Sequence, residues 1–491
     1  MDTSIWRKKP MSAYEADMKN SQLKRVLGKW SLTAIGIGAI IGGGIFVLTG
    51  TAAHYHAGPA LALSFVVAGI GCIFAALCYA EFAALLPVEG SAYAYAYGTI
   101  GEFFAWIIGW GLILEYAMGA MTVAVSWSGY FNKLLHLFGV EIPYYLRNDP
   151  FSASSYAEAN GLAHVGWGIN LPAFLVTWLV TYILVKGIKE AASANNIIVI
   201  LKVAAILFVI IVGATAVMPA NWEPFIPEPT MVEHTGGEMK EAYGWKGIFS
   251  GAAAIFFAYI GFDAVSTQAG EAINPRKDMP FAIITSLLLC TVLYVLVSLV
   301  LTGMINYKEI TGDALKAPVA FAFDKAGMPW AVFIITAAAT AGLISVMLVM
   351  MLGQTRVFLG MAKDGLLPKF FSEVHPTFRT PWKSTILVGT LVSVIAAFTP
   401  IGVLSDMTSF GTLFAFAMVC LAVLLLRQRE PNMERSFKAP ALYLVAPLGI
   451  ITNVGLILLL DGLAQKLAMG WLVVGLVVYF LYSRNASNLN K

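Results

Sequence analysis

The sequence predicts an all-α integral membrane protein with about twelve transmembrane helices. Three observations predict it. Of 491 residues, 59% are hydrophobic and 12% charged, about half the charged fraction of ordinary soluble domains. Apolar stretches near or above 18 residues, each sufficient to cross a bilayer, recur along the chain. Two of them, the first and the sixth, carry glycine where an apolar helix has no use for it.

The spans are centred at 31–56, 60–86, 99–131, 171–187, 194–217, 246–270, 279–304, 329–361, 383–398, 403–427, 440–461 and 467–483. The ninth is short and close to the tenth, so a count of eleven stays open. The first 30 residues are polar and basic, without the early apolar core of a cleavable signal. With twelve spans both termini share one side. That side holds 22 of the 31 lysines and arginines, which places both termini in the cytoplasm and the chain in the plasma (inner) membrane. The net charge of +3 is thus a topology signal, and no patch suggests nucleic acid. The loops 132–169 and 218–245 fall outside and read equally as hairpins or interfacial helices. Cys72, Cys78, Cys290 and Cys420 all lie within spans without metal-type spacing. His54 and His56 alone are too few for a metal site.

The first span contains Gly42, Gly43 and Gly44 in succession. Each glycine costs a helix about 1 kcal/mol against alanine. An opened helix in hydrocarbon strands its N–H and C=O groups unless they line an enclosed cavity. The alternative is close helix packing through Gly38-x-x-x-Gly42. The sixth span repeats the pattern, with Gly261 preceded by Phe256, Phe257 and Tyr259 and followed by Asp263. Glycine-interrupted spans in corresponding places of two halves point to an inverted-repeat transporter with its site between them. The expected organisation is a cytoplasmic segment 1–30, a five-helix repeat 31–217, a second repeat 246–427, two additional helices over 440–483, and a cytoplasmic tail 484–491.

Two opened helices suit a zwitterion. Half-helix N-termini offer N–H groups to a carboxylate, and the preceding C-termini offer carbonyls to an ammonium. The candidate contacts are Ile40, Gly42, Gly43 and Gly44 from the first break and Phe257, Ala258 and Ile260 from the second. Four ionisable residues lie inside spans: Glu81, Glu115, Lys202 and Asp263. Such residues usually face the bundle interior or a water path. Lys202 reads as a proton-exchanging lysine or as one snorkelling to the interface. Glu115 reads as a structural hydrogen-bonder, a proton carrier or a contact for a cationic substrate. Glu81 and Asp263 lie nearer span ends and read equally as gate or pairing residues and as part of the transport chemistry. Tyr93, Tyr95 and Tyr97, between spans two and three, read as an interfacial aromatic belt. Gly36-x-Gly38-x-x-x-Gly42 lacks the strand–turn–helix setting of a dinucleotide site, and no nucleophile or metal constellation marks an enzyme.

These residues form a pattern. Gly38-Ala-Ile-Ile-Gly-Gly-Gly-Ile-Phe46, Tyr79-Ala-Glu-Phe82, Gly90-Ser-Ala-Tyr93, Gly109 to Tyr116, Gly261-Phe-Asp-Ala-Val-Ser266, Asn274-Pro-Arg-Lys-Asp-Met-Pro280 and Met361-Ala-Lys-Asp-Gly-Leu-Leu-Pro368 resemble the amino acid–polyamine–organocation superfamily, and within it the cationic amino acid transporter family. The resemblance implies the leucine-transporter-type fold, with alternating access to a site between spans one, three, six and eight. It implies substrate contacts at Ile40, Gly42, Gly43, Gly44, Phe257, Ala258 and Ile260. It also implies that Lys202 takes the place a sodium ion holds in other relatives, and that Glu115 is functional. The expected activity is proton-coupled amino acid import, with the proton as coupling ion and no cofactor. The alternatives are exchange or facilitated diffusion without net proton movement and, from another class, a non-transporting sensor. The substrate stays open between cationic and small neutral amino acids, because Ser345, Met347, Met350 and Met351 of the eighth span form a largely apolar set.

Overall fold

The computed structural model describes residues 6–10, 27–85, 91–162, 166–187, 191–234, 239–266, 272–378 and 380–490. Most of the segment 1–30, Gly90, and Lys491 of the tail lie outside the described residues. The described chain is mostly helical. Helix α1 (Lys29–Ile40) precedes a helical run over 44–57, followed by α2 (Leu61–Leu85), a short helix Ser91–Thr99, α3 (Glu102–Leu137), α4 (Leu171–Lys186) and α5 (Ala191–Gly213). Then come α6 (Gly244–Ala254), a 3-10 turn Ile255–Tyr259, α7 (Phe262–Ser266), α8 (Pro275–Met304), α9 (Pro329–Lys363), α10 (Trp382–Phe398), α11 (Ile401–Arg429), α12 (Leu442–Ile457) and α13 (Gly462–Val478).

Among the described residues, seven helical runs are long and apolar enough to cross a membrane: Gly44–Leu85, Glu102–Leu137, Ile198–Ala216, Pro275–Met304, Pro329–Lys363, Ile401–Arg429 and Gly462–Ala486. Helices α4, α10 and α12 lie on expected spans four, nine and eleven but have 16 or 17 residues. They rise about 24–26 Å, a few Å less than a typical hydrocarbon core. The run Gly44–Leu85 joins parts of spans one and two, with Gly58 at φ +60° between them. Span six is divided among α6, the 3-10 turn and α7, of which the longest piece has 11 residues.

Helix α3 packs along α9 and α11, while α8 packs along α2 and α1. Of the most apolar window of α3, 83% is buried inside the protein, against 22% for Gly462–Ala486. The first is therefore interior. The second leaves Leu467, Val473 and Val474 exposed, as suits a helix against lipid. The loop 218–245 contains a hairpin, with β1 (Thr230–Glu233) antiparallel to β2 (Met239–Ala242). The loop 132–169 contains the helix Pro150–Ala159, capped by the Asp149 carboxylate on the N–H groups of Phe151 and Ser152.

The aromatic-belt reading of Tyr93, Tyr95 and Tyr97 is overturned: all three are at most 2% exposed. They sit on Ser91–Thr99, and their hydroxyls donate to the Asp364 carboxylate, the Ser266 carbonyl and the Glu102 carboxylate. A helix turned inward explains the difference, because each phenol then finds a buried acceptor. Glu81 is a pairing residue: Arg427 forks onto it, the Ala439 N–H donates at 2.8 Å, and Arg435 Nε stands 3.1 Å away. Fully buried Glu102 likewise accepts from Arg7 at 2.6 Å, from the Tyr479 hydroxyl at 3.2 Å and from the Ser487 hydroxyl. Lys9 pairs with Asp364 at 3.2 Å. Residues from both ends of the chain thus lie across the end of the bundle where α3 begins and α9 finishes.

Candidate functional site

The first break follows from the glycines. Helical hydrogen bonding in α1 ends with the Ile41 N–H on the Ile37 carbonyl, and Ile41 itself is extended at ψ 102°. The helix resumes at Gly44. The carbonyls that close α1 have no later turn to accept from, and other elements supply partners. Lys202 Nζ donates to the Gly38 carbonyl at 2.8 Å, and the Tyr294 hydroxyl donates to the Ile40 carbonyl at 2.9 Å. On the far side, the first N–H groups of the run from Gly44 lack partners within their own helix.

The second break lies directly against the first. After the 3-10 turn, Ile260 is extended at ψ 140° and Gly261 takes φ +116°, a conformation that glycine adopts without strain. A Cβ on Gly261 would lie 2.8 Å from the Ala39 carbonyl oxygen, and one on Gly44 would lie 2.3 Å from Ala258 Cα. The missing side chains therefore let the two breaks touch, backbone to backbone. The Phe257 N–H, freed by the turn, donates to the Ser409 hydroxyl of α11 at 3.2 Å.

Between the breaks is a small cavity. Ala39, Ile40, Gly42, Gly43 and Gly44 line one side and Phe257 and Ile260 the other, with Val346 and Met350 of α9 completing the wall. The structure thus brings together six of the seven expected contact residues. Ala258 is the exception, because its Cα and Cβ are pressed against Gly44 behind the cavity surface. Met350 belongs to the apolar set noted on span eight, whereas Val346 and Ala39 were not singled out. Tyr294 and Ser409 were also missed: each is one of several hydroxyl residues on its helix, and no spacing sets it apart.

Lys202, Glu115 and Asp263 stand outside the cavity wall. Lys202 is 1% exposed, and its aliphatic stem lies against Gly342 of α9, where a Cβ would meet its Cγ at 3.0 Å. It therefore does not snorkel: its ammonium end caps α1, whose C-terminal dipole end favours a cation. The Asp263 carboxylate accepts from the Tyr116 hydroxyl at 2.8 Å and from the Gly261 N–H at 3.2 Å, which ties the second break to α3. Glu115 is fully buried, and neither carboxyl oxygen has a hydrogen-bond partner among the described residues. Gly411 of α11 packs against its backbone, and the Thr412 hydroxyl donates to the Thr408 carbonyl at 3.1 Å.

A helical membrane protein whose two interrupted helices expose backbone groups to a small interior cavity has the construction of a permease, not of an enzyme. Comparison with known proteins gives the family: the amino acid permease family matches residues 27–483, and the chain belongs to it. It is 44% identical to the branched-chain amino acid permease BcaP of Bacillus subtilis (strain 168), over the full length of both. It is 42% identical to the methylthioribose transporter of the same organism, again over both full lengths. Identity to the vacuolar cationic amino acid transporter 4 of Arabidopsis thaliana is 39%, over 84% of this chain and 64% of that protein.

Proposed function

We propose that this multi-pass protein imports neutral L-amino acids with apolar side chains by proton-coupled alternating access. The observation that carries the reading is the cavity between the two breaks, walled by backbone at one end and by Phe257, Val346 and Met350 around it. An amino acid's carboxylate would take the N–H groups at Gly42–Gly44, and its ammonium the carbonyls closing α1 and the 3-10 turn. None of the nine lining residues is charged, so a guanidinium or lysine side chain would enter without an acceptor, at a heavy desolvation cost. This favours the neutral over the cationic alternative. The relative named for branched-chain amino acids points the same way.

The wider architecture belongs to the same proposal. Twelve spans form repeats over 31–217 and 246–427, with two further helices, both termini cytoplasmic, in the plasma membrane. Lys202 couples the proton: charged, it holds the Gly38 carbonyl and steadies the break, and deprotonation toward the cytoplasm loosens that hold and releases substrate. Glu115, buried with neither carboxyl oxygen hydrogen-bonded among the described residues, is the second proton-carrying group, and Asp263 is the hinge tie.

The experiment is a competition screen of the twenty amino acids against labelled leucine and arginine in proteoliposomes at two pH values. Competition by aliphatic amino acids, with uptake driven by an inward proton gradient, is the expected result. Uptake requiring internal amino acid and ignoring the gradient would establish exchange instead. A second reading, methylthioribose transport, is favoured by the full-length relative of that name, so the ribose thioether joins the screen. Its exclusive competition would replace the amino acid reading.

A further inference from the structure

We propose that Tyr294 is a positioning residue for the substrate's ammonium group, an inference that rests on the amino acid reading of the cavity. Tyr294 lies on α8, which contributes nothing to the cavity wall. Its ring is fully buried, held by Phe65 at 5.4 Å and Tyr259 at 5.5 Å between centroids. Rings packed on both neighbours fix where the hydroxyl points. It points at the Ile40 carbonyl, 2.9 Å away, at the point where α1 stops.

The Ile40 carbonyl is the last one before the chain leaves the helix. The Gly38 carbonyl is held by Lys202, and the Ala39 carbonyl is wedged against Gly261. The peptide that carries the Ile40 carbonyl is anchored on its N–H side only at the helix end, by Ile41 on the Ile37 carbonyl at 2.9 Å. Beyond it Ile41 is extended, so Tyr294 supplies the anchor on the carbonyl side, next to the cavity that Ile40 lines. A carbonyl oxygen accepts two hydrogen bonds. Tyr294 takes one and leaves the other for an ammonium in the cavity. A carbonyl already accepting from a phenol inside a low-dielectric site keeps its orientation whether substrate is present or not, and preorganisation of that kind lowers the cost of binding.

Tyr243 offers an internal control. It is also buried and its hydroxyl also donates to a backbone carbonyl, that of His54 at 2.7 Å, away from both breaks. The test measures leucine uptake by the full-length protein in proteoliposomes for wild type, Tyr294→Phe and Tyr243→Phe. Losing one neutral hydrogen bond's worth of orientation is expected to raise KM about five- to tenfold in Tyr294→Phe. Maximal rate stays within about twofold, and Tyr243→Phe keeps the wild-type KM. A wild-type KM in Tyr294→Phe, or equal KM changes in both variants, overturns the inference. Should Tyr294→Phe not assemble, 3-fluorotyrosine at position 294 preserves the ring's shape while strengthening the donor. An unchanged KM there overturns the inference equally, and a shift of at least about twofold at constant maximal rate upholds it. Absence of saturable leucine uptake in wild type is a separate outcome, which removes the amino acid reading itself and the inference with it.

Discussion

Lys202 and Gly38 are joined across two helices, the ammonium nitrogen 2.8 Å from the carbonyl oxygen. A side chain on α5 thereby completes the hydrogen bonding of α1 one turn before its glycine break. The break is held from outside its own helix, so it responds to whatever changes the holder.

Lys202→Ala removes that response. Uptake by the variant is expected to be slow and indifferent to an imposed proton gradient. Lys202→Arg, which keeps its charge at any accessible pH, is expected to bind substrate but release it poorly. Proteoliposome flux with and without an inward gradient measures both. Retention of the wild-type gradient dependence by Lys202→Ala would falsify the coupling role.

Gly44→Ala places a methyl carbon where Ala258 Cα is 2.3 Å away. Backbone cannot yield as a flexible side chain can, so the two breaks must separate, at a cost of about 1–3 kcal/mol or more. The expected outcome is a lower thermal midpoint in detergent together with lost substrate binding. Gly402→Ala, at a position with nothing within 4 Å of the added carbon, serves as the silent comparison.

Met350→Glu adds a carboxylate to the apolar wall. It is expected to shift competition from aliphatic amino acids toward arginine and lysine, read in the same uptake assay. A variant that assembles yet keeps the wild-type ranking would show that Met350 does not face the substrate's side chain.

Glu81→Gln leaves Arg427 and Arg435 without their shared anion in a buried place. Removing one partner of such a cluster typically costs about 3–5 kcal/mol. A fall in thermal midpoint larger than that of an exposed pair such as Lys325–Glu309 is the expected measurement, because exposed pairs contribute only about 0–1 kcal/mol.

The site was legible in the sequence where backbone makes it. Gly42–Gly44 announced themselves as three glycines in succession and Gly261 by standing in the corresponding span, whereas single glycines such as Gly342 and Gly411 serve close packing in unbroken helices. Side chains that hold the site from behind were not legible. Tyr294, Ser409 and Tyr116 act through single hydroxyls across long sequence separations, which leave no periodicity to read. Tyr93, Tyr95 and Tyr97 misled because spacing by two next to a span resembles an aromatic belt until the helix direction is known. Helices α4 and α10 match their expected spans 171–187 and 383–398 to within a residue at each end, whereas α12 stops at Ile457, short of the expected 461: composition marks where apolar sequence lies, not how much of it coils.

The bonds that Glu102 accepts from Arg7 and Ser487, and the one between Arg7 and Asn490, carry a consequence for biogenesis. Residues 7 and 490 are translated first and last among those that meet there, so this knot cannot be tied until the final helix has been delivered. A chain stalled before α13 leaves the Glu102 carboxylate without Tyr479 and Ser487 and stays open at that end. A chain that includes α13 and the residues after it thus carries a closure that one ending before α13 lacks, a difference by which assembled and arrested molecules are told apart.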